Sequence, residues 1–326
     1  GIISAFVDNV ATVLMIAPVA IEICKKLKTN PIPFIISIAV SSNLQGAATL
    51  VGDTTAIMLG SALDMSFLDF IWYQGKPGMF FMVELGACLS ACIVYFTFRK
   101  EKGAIPKSGK MTEVEDIVPT VLLVGAIAAL IVASFLPFEM PAETNGLICF
   151  SLLIIGLIYN YARKKNLDAI MGPLKAIDLE TLGLLVGLFL MIGGISNMGV
   201  IDALAQLLAK LGAGSPFLMY TIIVWASVLI SAFIDNIPYV ATMIPVIAGI
   251  AVEMGIDSTA LYFGLLSGAT LGGNCTPIGA SANIAGIGIL RKEGYDVKNA
   301  DFFKIGIPFT LSAIVPAYIL IWILFG

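Results

Sequence analysis

One short motif, placed twice inside apolar sequence, constrains this chain more than any other feature. SAFVDNVATVLMIAPV carries Asp8-Asn9, and SAFIDNIPYVATMIPV carries Asp235-Asn236. A carboxylate in such a run costs several kcal/mol unless it is paired, hydrated, protonated or ion-bound. Residues 4–60 lie on residues 231–287 without a gap: Ser4, Ala5, Phe6, Asp8 and Asn9 match Ser231, Ala232, Phe233, Asp235 and Asn236, and Pro18 matches Pro245. Gly46, Thr49 and Gly52 match Gly273, Thr276 and Gly279. The chain therefore contains an internal repeat.

Apolar runs fall at about 10–24, 32–60, 79–98, 117–137, 144–162, 179–199, 216–252, 259–290 and 303–325. Most suit one helical crossing at ~1.5 Å per residue, and none has the ten-residue alternation of a barrel strand. Only 12% of the residues are charged, against about 25% in a soluble domain. The fold class is an all-α integral membrane protein. Nucleic acid is excluded as a partner, since no basic face exists outside short loops. Cys24, Cys88, Cys92, Cys149 and Cys275 lie in or beside apolar runs as packing residues. The chain has no His, so proton coupling would run through carboxylates, Lys or water. Gly1 already lies in an apolar run, and repeat logic predicts roughly a hundred further residues ahead of it.

Two runs cannot be simple crossings. Residues 216–252 carry Asp235-Asn236-Ile237-Pro238 at their middle, where Pro lacks an amide donor, which predicts two helices meeting at a re-entrant hairpin tip. LGGNCTPIGASAN within 259–290 predicts a helix broken in mid-membrane, and the first copy repeats both features. The basic loops hold Lys25, Lys26 and Lys28, then Arg99, Lys100, Lys102, Lys107 and Lys110, then Arg163, Lys164 and Lys165, and finally Arg291, Lys292 and Lys298. If each hairpin returns to its own side and each broken helix crosses once, all of these loops share one face. That face is cytoplasmic by the positive-inside rule, with the C-terminus outside. The hairpins then enter from opposite faces, so the repeats are inverted. The expected organisation is residues 1–98 as the remainder of the first repeat, 99–116 as a basic cytoplasmic linker, and 117–326 as a complete second repeat. Inverted repeats with broken helices point to a secondary transporter.

Helix breaks in lipid leave backbone groups to be satisfied, so they line polar cavities. Freed helix N-termini favour anions and freed carbonyls favour cations. Asn9, Ser42, Asn43, Thr49, Asn236, Asn274, Thr276, Ser281 and Asn283 are the candidate substrate-binding residues. Asp8, Asp53 and Asp235 are the candidate sodium or proton sites; as N-caps, Asp8 and Asp235 would also suit the helices that follow them. Hard oxygen ligands suit sodium, which is expected as the coupling ion, with no other cofactor. Asn43, Thr49, Asn274, Thr276 and Asn283 are expected to converge on one cavity.

SAFVDNVATVLMIAPV, ATLVGDTTAIMLG, SAFIDNIPYVATMIPV and LGGNCTPIGASANIAG resemble the ion transporter superfamily, in the branch of ArsB/NhaD-like permeases with a citrate-transporter-like domain. The resemblance covers essentially the whole chain. It implies an inverted-repeat fold whose hairpins and broken helices move against a scaffold, and cation-coupled transport of small ions. Ser42-Asn43-Leu44-Gln45-Gly46 departs from the Ser-Asn-Ile-Gly-Gly of related permeases, and Gly52-Asp53-Thr54-Thr55-Ala56 from the Gly-Asp-Pro-Pro-Asn of arsenite-type relatives. Neither repeat keeps the Ser-Asn-Thr of dicarboxylate carriers intact. The cargo therefore stays open.

The function expected is secondary active transport in the cytoplasmic membrane: sodium- or proton-coupled movement of a small anion, a carboxylate or an oxyanion, by alternating access. The alternative is sodium/proton antiport. An intramembrane aspartyl protease is disfavoured because Leu50-Val51-Gly52-Asp53 lacks the first Gly of Gly-x-Gly-Asp, and a channel because no filter repeat is present; no enzyme activity is expected. The partners this reading admits are a small inorganic or organic ion, the bilayer, and a second copy of the chain as a homodimer.

Overall fold

A computed structural model describes residues 1–99, 116–135, 144–175, 177, 179–212 and 214–326. Its helices are α1 (Asn9–Leu27), α2 (Ile32–Gly46), α3 (Thr54–Ala62), α4 (Met79–Phe98), α5 (Val118–Ser134), α6 (Thr144–Lys164), α7 (Asp168–Lys175), α8 (Leu179–Asn197), α9 (Val200–Leu211), α10 (Pro216–Ser231), α11 (Asn236–Met254), α12 (Thr259–Gly272), α13 (Ser281–Lys292) and α14 (Asn299–Phe325). A small hairpin, β1 (Trp72–Tyr73) with β2 (Lys76–Pro77), precedes α4. Among the described residues, α4, α6, α11 and α14 are each long and apolar enough to cross a membrane. Most of the linker, including Lys100, Lys102, Lys107 and Lys110, lies outside the described residues.

The internal repeat is explicit in the backbone. The bounds of α1, shifted by the 227 residues that separate Asn43 from Thr270, become those of α11. Asp8 and Asp235 cap these helices with near-identical backbones (φ −43, ψ 140 and φ −53, ψ 140). Lys28 and Gly255 end them in the left-handed conformation, the usual helix stop. The same shift carries α2 towards α12, α3 towards α13, and α4 onto the C-terminal part of α14, which extends the repeat beyond residue 60.

The copies are related by a local two-fold axis. Equivalent residues touch each other: Asn43 donates to the Thr270 carbonyl at 2.7 Å, and Gly86 lies against the Ala313 backbone. Contacts are also reciprocal, with α1 packing on α13 as α11 packs on α3. Reciprocity of this kind marks an isologous interface.

Both predicted helix breaks are present. α2 stops at Gly46 and α3 resumes at Thr54; α12 stops at Gly272, passes through a 3-10 turn at Gly273–Cys275, and α13 resumes at Ser281. A Cβ on Gly52 would meet the Gly46 and Ala5 carbonyls, and one on Gly279 those of Gly273 and Ala232. Two features differ from the sequence reading. The arms of the second hairpin do not pack along each other: α10 lies on α12, while α11 lies on α9 and α12. The run 179–199 is α8 as far as Asn197, but the chain then turns by 76° into a further helix, α9, that the hydropathy did not mark. Gly199, at φ +72, permits that turn.

Gly264, Gly268 and Gly272 form the stripe of α12 that meets α10. Small residues at four-residue spacing let helix backbones approach closely in membranes. A Cβ on Gly268 would sit 2.6 Å from the Val224 carbonyl oxygen and 2.7 Å from Ser227 Cβ. Gly268→Ala is therefore expected to destabilise the protein by ~1–3 kcal/mol through overpacking. Gly183→Ala in α8, where nothing lies within 4 Å, should leave the melting temperature nearly unchanged. Thermal denaturation of both variants in detergent checks this; equal melting temperatures would contradict it.

Candidate functional site

Four helices begin at one place. The tips Asp8-Asn9 and Asp235-Asn236 start α1 and α11, and the breaks start α3 at Thr54 and α13 at Ser281. Asp8, Asn9, Val10, Ala11, Asp53, Thr54, Asn236, Ile237 and Ser281 line a cavity of about 1140 Å³. Apart from Ser61, its other described lining residues are apolar, with Leu182, Leu185, Phe189 and Ile192 of α8 among them. Among the described residues no Lys or Arg lines it.

The carboxylates are held differently. Asp8 is exposed and accepts from the Ala11 amide at 3.0 Å. Asp235 accepts from the Ile237 amide at 3.1 Å and from Ser281 Oγ at 2.6 Å. Both therefore act as the caps the sequence allowed. Asp53 is buried, and its side chain does not cap α3. Its Oδ2 accepts from Thr55 Oγ1 at 3.0 Å and from Asn236 Nδ2 at 3.2 Å. Among the described residues no group of three or more Cys, Asp or Glu could hold a metal. A cation here would take one or two carboxylates and complete its shell with hydroxyl, amide or carbonyl oxygens.

The other candidates lie behind this surface and close a buried polar network. Asn9 Nδ2 donates to Asn43 Oδ1 at 3.0 Å, and Asn43 Nδ2 donates to Asn274 Oδ1 at 3.1 Å as well as to Thr270. Asn274 Nδ2 donates to the Val40 carbonyl at 3.0 Å. Ser42 Oγ donates to the Asn9 carbonyl and pairs with Ser4. Thr49 donates to the Ala5 carbonyl and Thr276 to that of Ala232, two bonds related by the repeat. Asn283 Nδ2 reaches the Gly273 and Thr276 carbonyls, both at 3.0 Å. Thus Asp8, Asn9, Asp53, Asn236 and Ser281 meet at the cavity and Asp235 joins through Ser281, whereas Ser42, Asn43, Thr49, Asn274, Thr276 and Asn283 bind the broken backbone together.

Sequence reasoning passed over Thr55 and Thr270, whose hydroxyls lie 3.3 Å apart and link Asp53 towards the axis. Thr270 had a signal, since the repeat pairs it with Asn43. The α8 wall had none, since an apolar side chain facing a cavity reads in sequence like one facing lipid.

A family model described as citrate transporter matches residues 1–268 and 172–326. The chain is 31% identical, over 98% of its length, to an uncharacterized transporter of Mycobacterium tuberculosis, covering 74% of that protein. It is 32% identical, with the same coverage, to the 46 kDa membrane protein of Mycobacterium leprae. To the P protein of Homo sapiens it is 27% identical, over 94% of this chain and 46% of that protein.

The bonds at Thr49 and Thr276 occupy equivalent places, so Thr49→Val and Thr276→Val should each destabilise by a similar amount, ~1–3 kcal/mol for a buried carbonyl left unpaired. Thermal melts of the two variants check this. A loss confined to one of them would show that the repeats do not share this support.

Proposed function

The chain belongs to the citrate transporter family, and from that premise we propose that this membrane transporter moves a small anion, a carboxylate or an oxyanion, coupled to sodium or protons. The observation that carries the anion is the meeting of four helix N-termini at one cavity. Each N-terminus carries roughly half a positive charge, and pointing such ends at anionic cargo is the device of broken-helix transporters. The first-turn amides of α1, α3, α11 and α13, with Asn9, Asn236 and Ser281, are the groups proposed to hold it.

Asp8, Asp53 and Asp235 are the proposed cation side. Three carboxylates outweigh four half-charges, so an anion enters at a loss unless a cation enters with it. That imbalance is the physical reason for coupling. Charge in the basic loops supports an orientation with those loops cytoplasmic and the C-terminus outside. Sodium/proton antiport is the second reading, favoured by the burial of Asp53 without a cationic side-chain partner among the described residues.

The test uses the full-length protein in proteoliposomes with labelled carboxylates and oxyanions. An inward sodium or proton gradient is expected to drive anion accumulation above equilibrium. Dissipation of one cation gradient by the other, with no anion required or moved, would replace this reading with antiport. Within the same assay, Asp8→Asn and Asp235→Asn are expected to weaken the sodium dependence of transport and of the melting temperature. Wild-type sodium dependence in both variants would reduce these residues to caps, since Asn caps about as well as Asp, and would move the cation to the breaks.

A further inference from the structure

The shape of the cavity says more about the cargo than its charge does. We infer, on the reading above, that the cargo is a monocarboxylate with an apolar body, of the branched-chain or arylacetic type, rather than a di- or tricarboxylate or an inorganic oxyanion.

Polarity among the described lining residues is concentrated at one end, with Ser61 of α3 the one hydroxyl away from it. Asp8, Asn9, Asp53, Thr54, Asn236 and Ser281 gather at the four helix starts. Apart from Ser61, the described lining away from them is apolar, with Leu14, Ile57, Leu182, Leu185, Phe189 and Ile244, and none of these can hydrogen-bond a carboxylate through its side chain. A citrate-like ion needs donors on several sides, and a second or third carboxylate directed at the α8 wall would be desolvated without a partner. The cavity of about 1140 Å³ is also larger than the ~300–1,000 Å³ usual for small-molecule sites. An inorganic oxyanion would leave most of it unfilled.

Charge leads to the same class. About two positive charges from four helix ends face the carboxylates of Asp8, Asp53 and Asp235, and among the described residues no lysine or arginine lining the cavity adds to them. Every further negative charge on the cargo would call for a further coupling cation at the same end. One carboxylate on an apolar body asks least of the polar end and uses the rest. Phe189 and Leu185 of α8 then act as specificity residues through contact area rather than hydrogen bonds.

The experiment uses the full-length protein in detergent with sodium present, measuring thermal stabilisation and competition for uptake. The probes are acetate, 4-methylpentanoate, phenylacetate, succinate, citrate and phosphate, with 2-phenylethanol as the uncharged control. Affinity is expected to rise from acetate to 4-methylpentanoate and phenylacetate by at least tenfold, with no response to 2-phenylethanol. Phe189→Asn should weaken phenylacetate by about tenfold, the equivalent of ~1.4 kcal/mol, and leave acetate unchanged. Preference for citrate, succinate or phosphate would overturn this inference and leave anion transport standing. An equal response to 2-phenylethanol, reflecting partition of an apolar solute, would also overturn it. Sodium/proton exchange with no response to any anion would overturn the anion reading and this inference with it.

Discussion

The structure depends on satisfying backbone groups that two broken helices leave unpaired in apolar surroundings. With little water available, each freed carbonyl needs a donor from the protein itself. Short polar side chains supply several of those donors, Thr49 and Thr276 on the carbonyls of Ala5 and Ala232 and Asn283 on those of Gly273 and Thr276, while Asn274 on Val40 and Ser231 on Ala269 add bonds to carbonyls within α2 and α12. These bonds tie the broken helices to the hairpin tips, to each other and to themselves. The breaks are thereby held at the two-fold axis, and their helix starts can converge on one cavity.

The frame is symmetric and the chemistry is not. The position equivalent to Asp53 is Ala280, and that equivalent to Thr55 is Ala282. Conversely, Asn274 and Asn283 correspond to Ala47 and Ala56. The first repeat thus contributes the buried carboxylate, and the second contributes more of the amides that hold the breaks. Each copy supplies some of both, and bonds between the copies, Asn236 to Asp53 and Asn43 to Asn274, join candidate site and support.

This division explains what the sequence could and could not disclose. Matching Asp-Asn pairs, the prolines behind them and the Gly-rich stretches marked the repeat, the tips and the breaks, because φ freedom and missing donors are properties of single residues. The sequence also nominated the polar residues of the tips and breaks as a group but could not sort them. Asn43 and Asn236 read alike, yet one lies on the axis and the other on the cavity, and only the direction of each side chain at an irregular turn decides which. The bend at Gly199 and the α8 wall were illegible for another reason. Lipid and an apolar cavity select the same side chains, so hydropathy does not distinguish the two surfaces.

The asymmetry also limits how such a frame can cycle. Transport by exchange of repeat conformations asks each half to adopt the arrangement of the other. In this state Asn236 bonds Asp53 across the axis, while Asn9 bonds Asn43 within its own repeat. After exchange, Asn9 would face Ala280, which offers no side-chain acceptor, and Asn236 would face Thr270, the equivalent of Asn43. Asp53 would then lose the amide of Asn236 and keep only Thr55 of its two side-chain donors. A carboxylate stripped of a donor in an apolar setting needs a counter-charge more than before. On the proposed cation role of Asp53, the exchange would be less unfavourable with the cation bound than without it, which is the kind of linkage that would tie movement to a coupling ion.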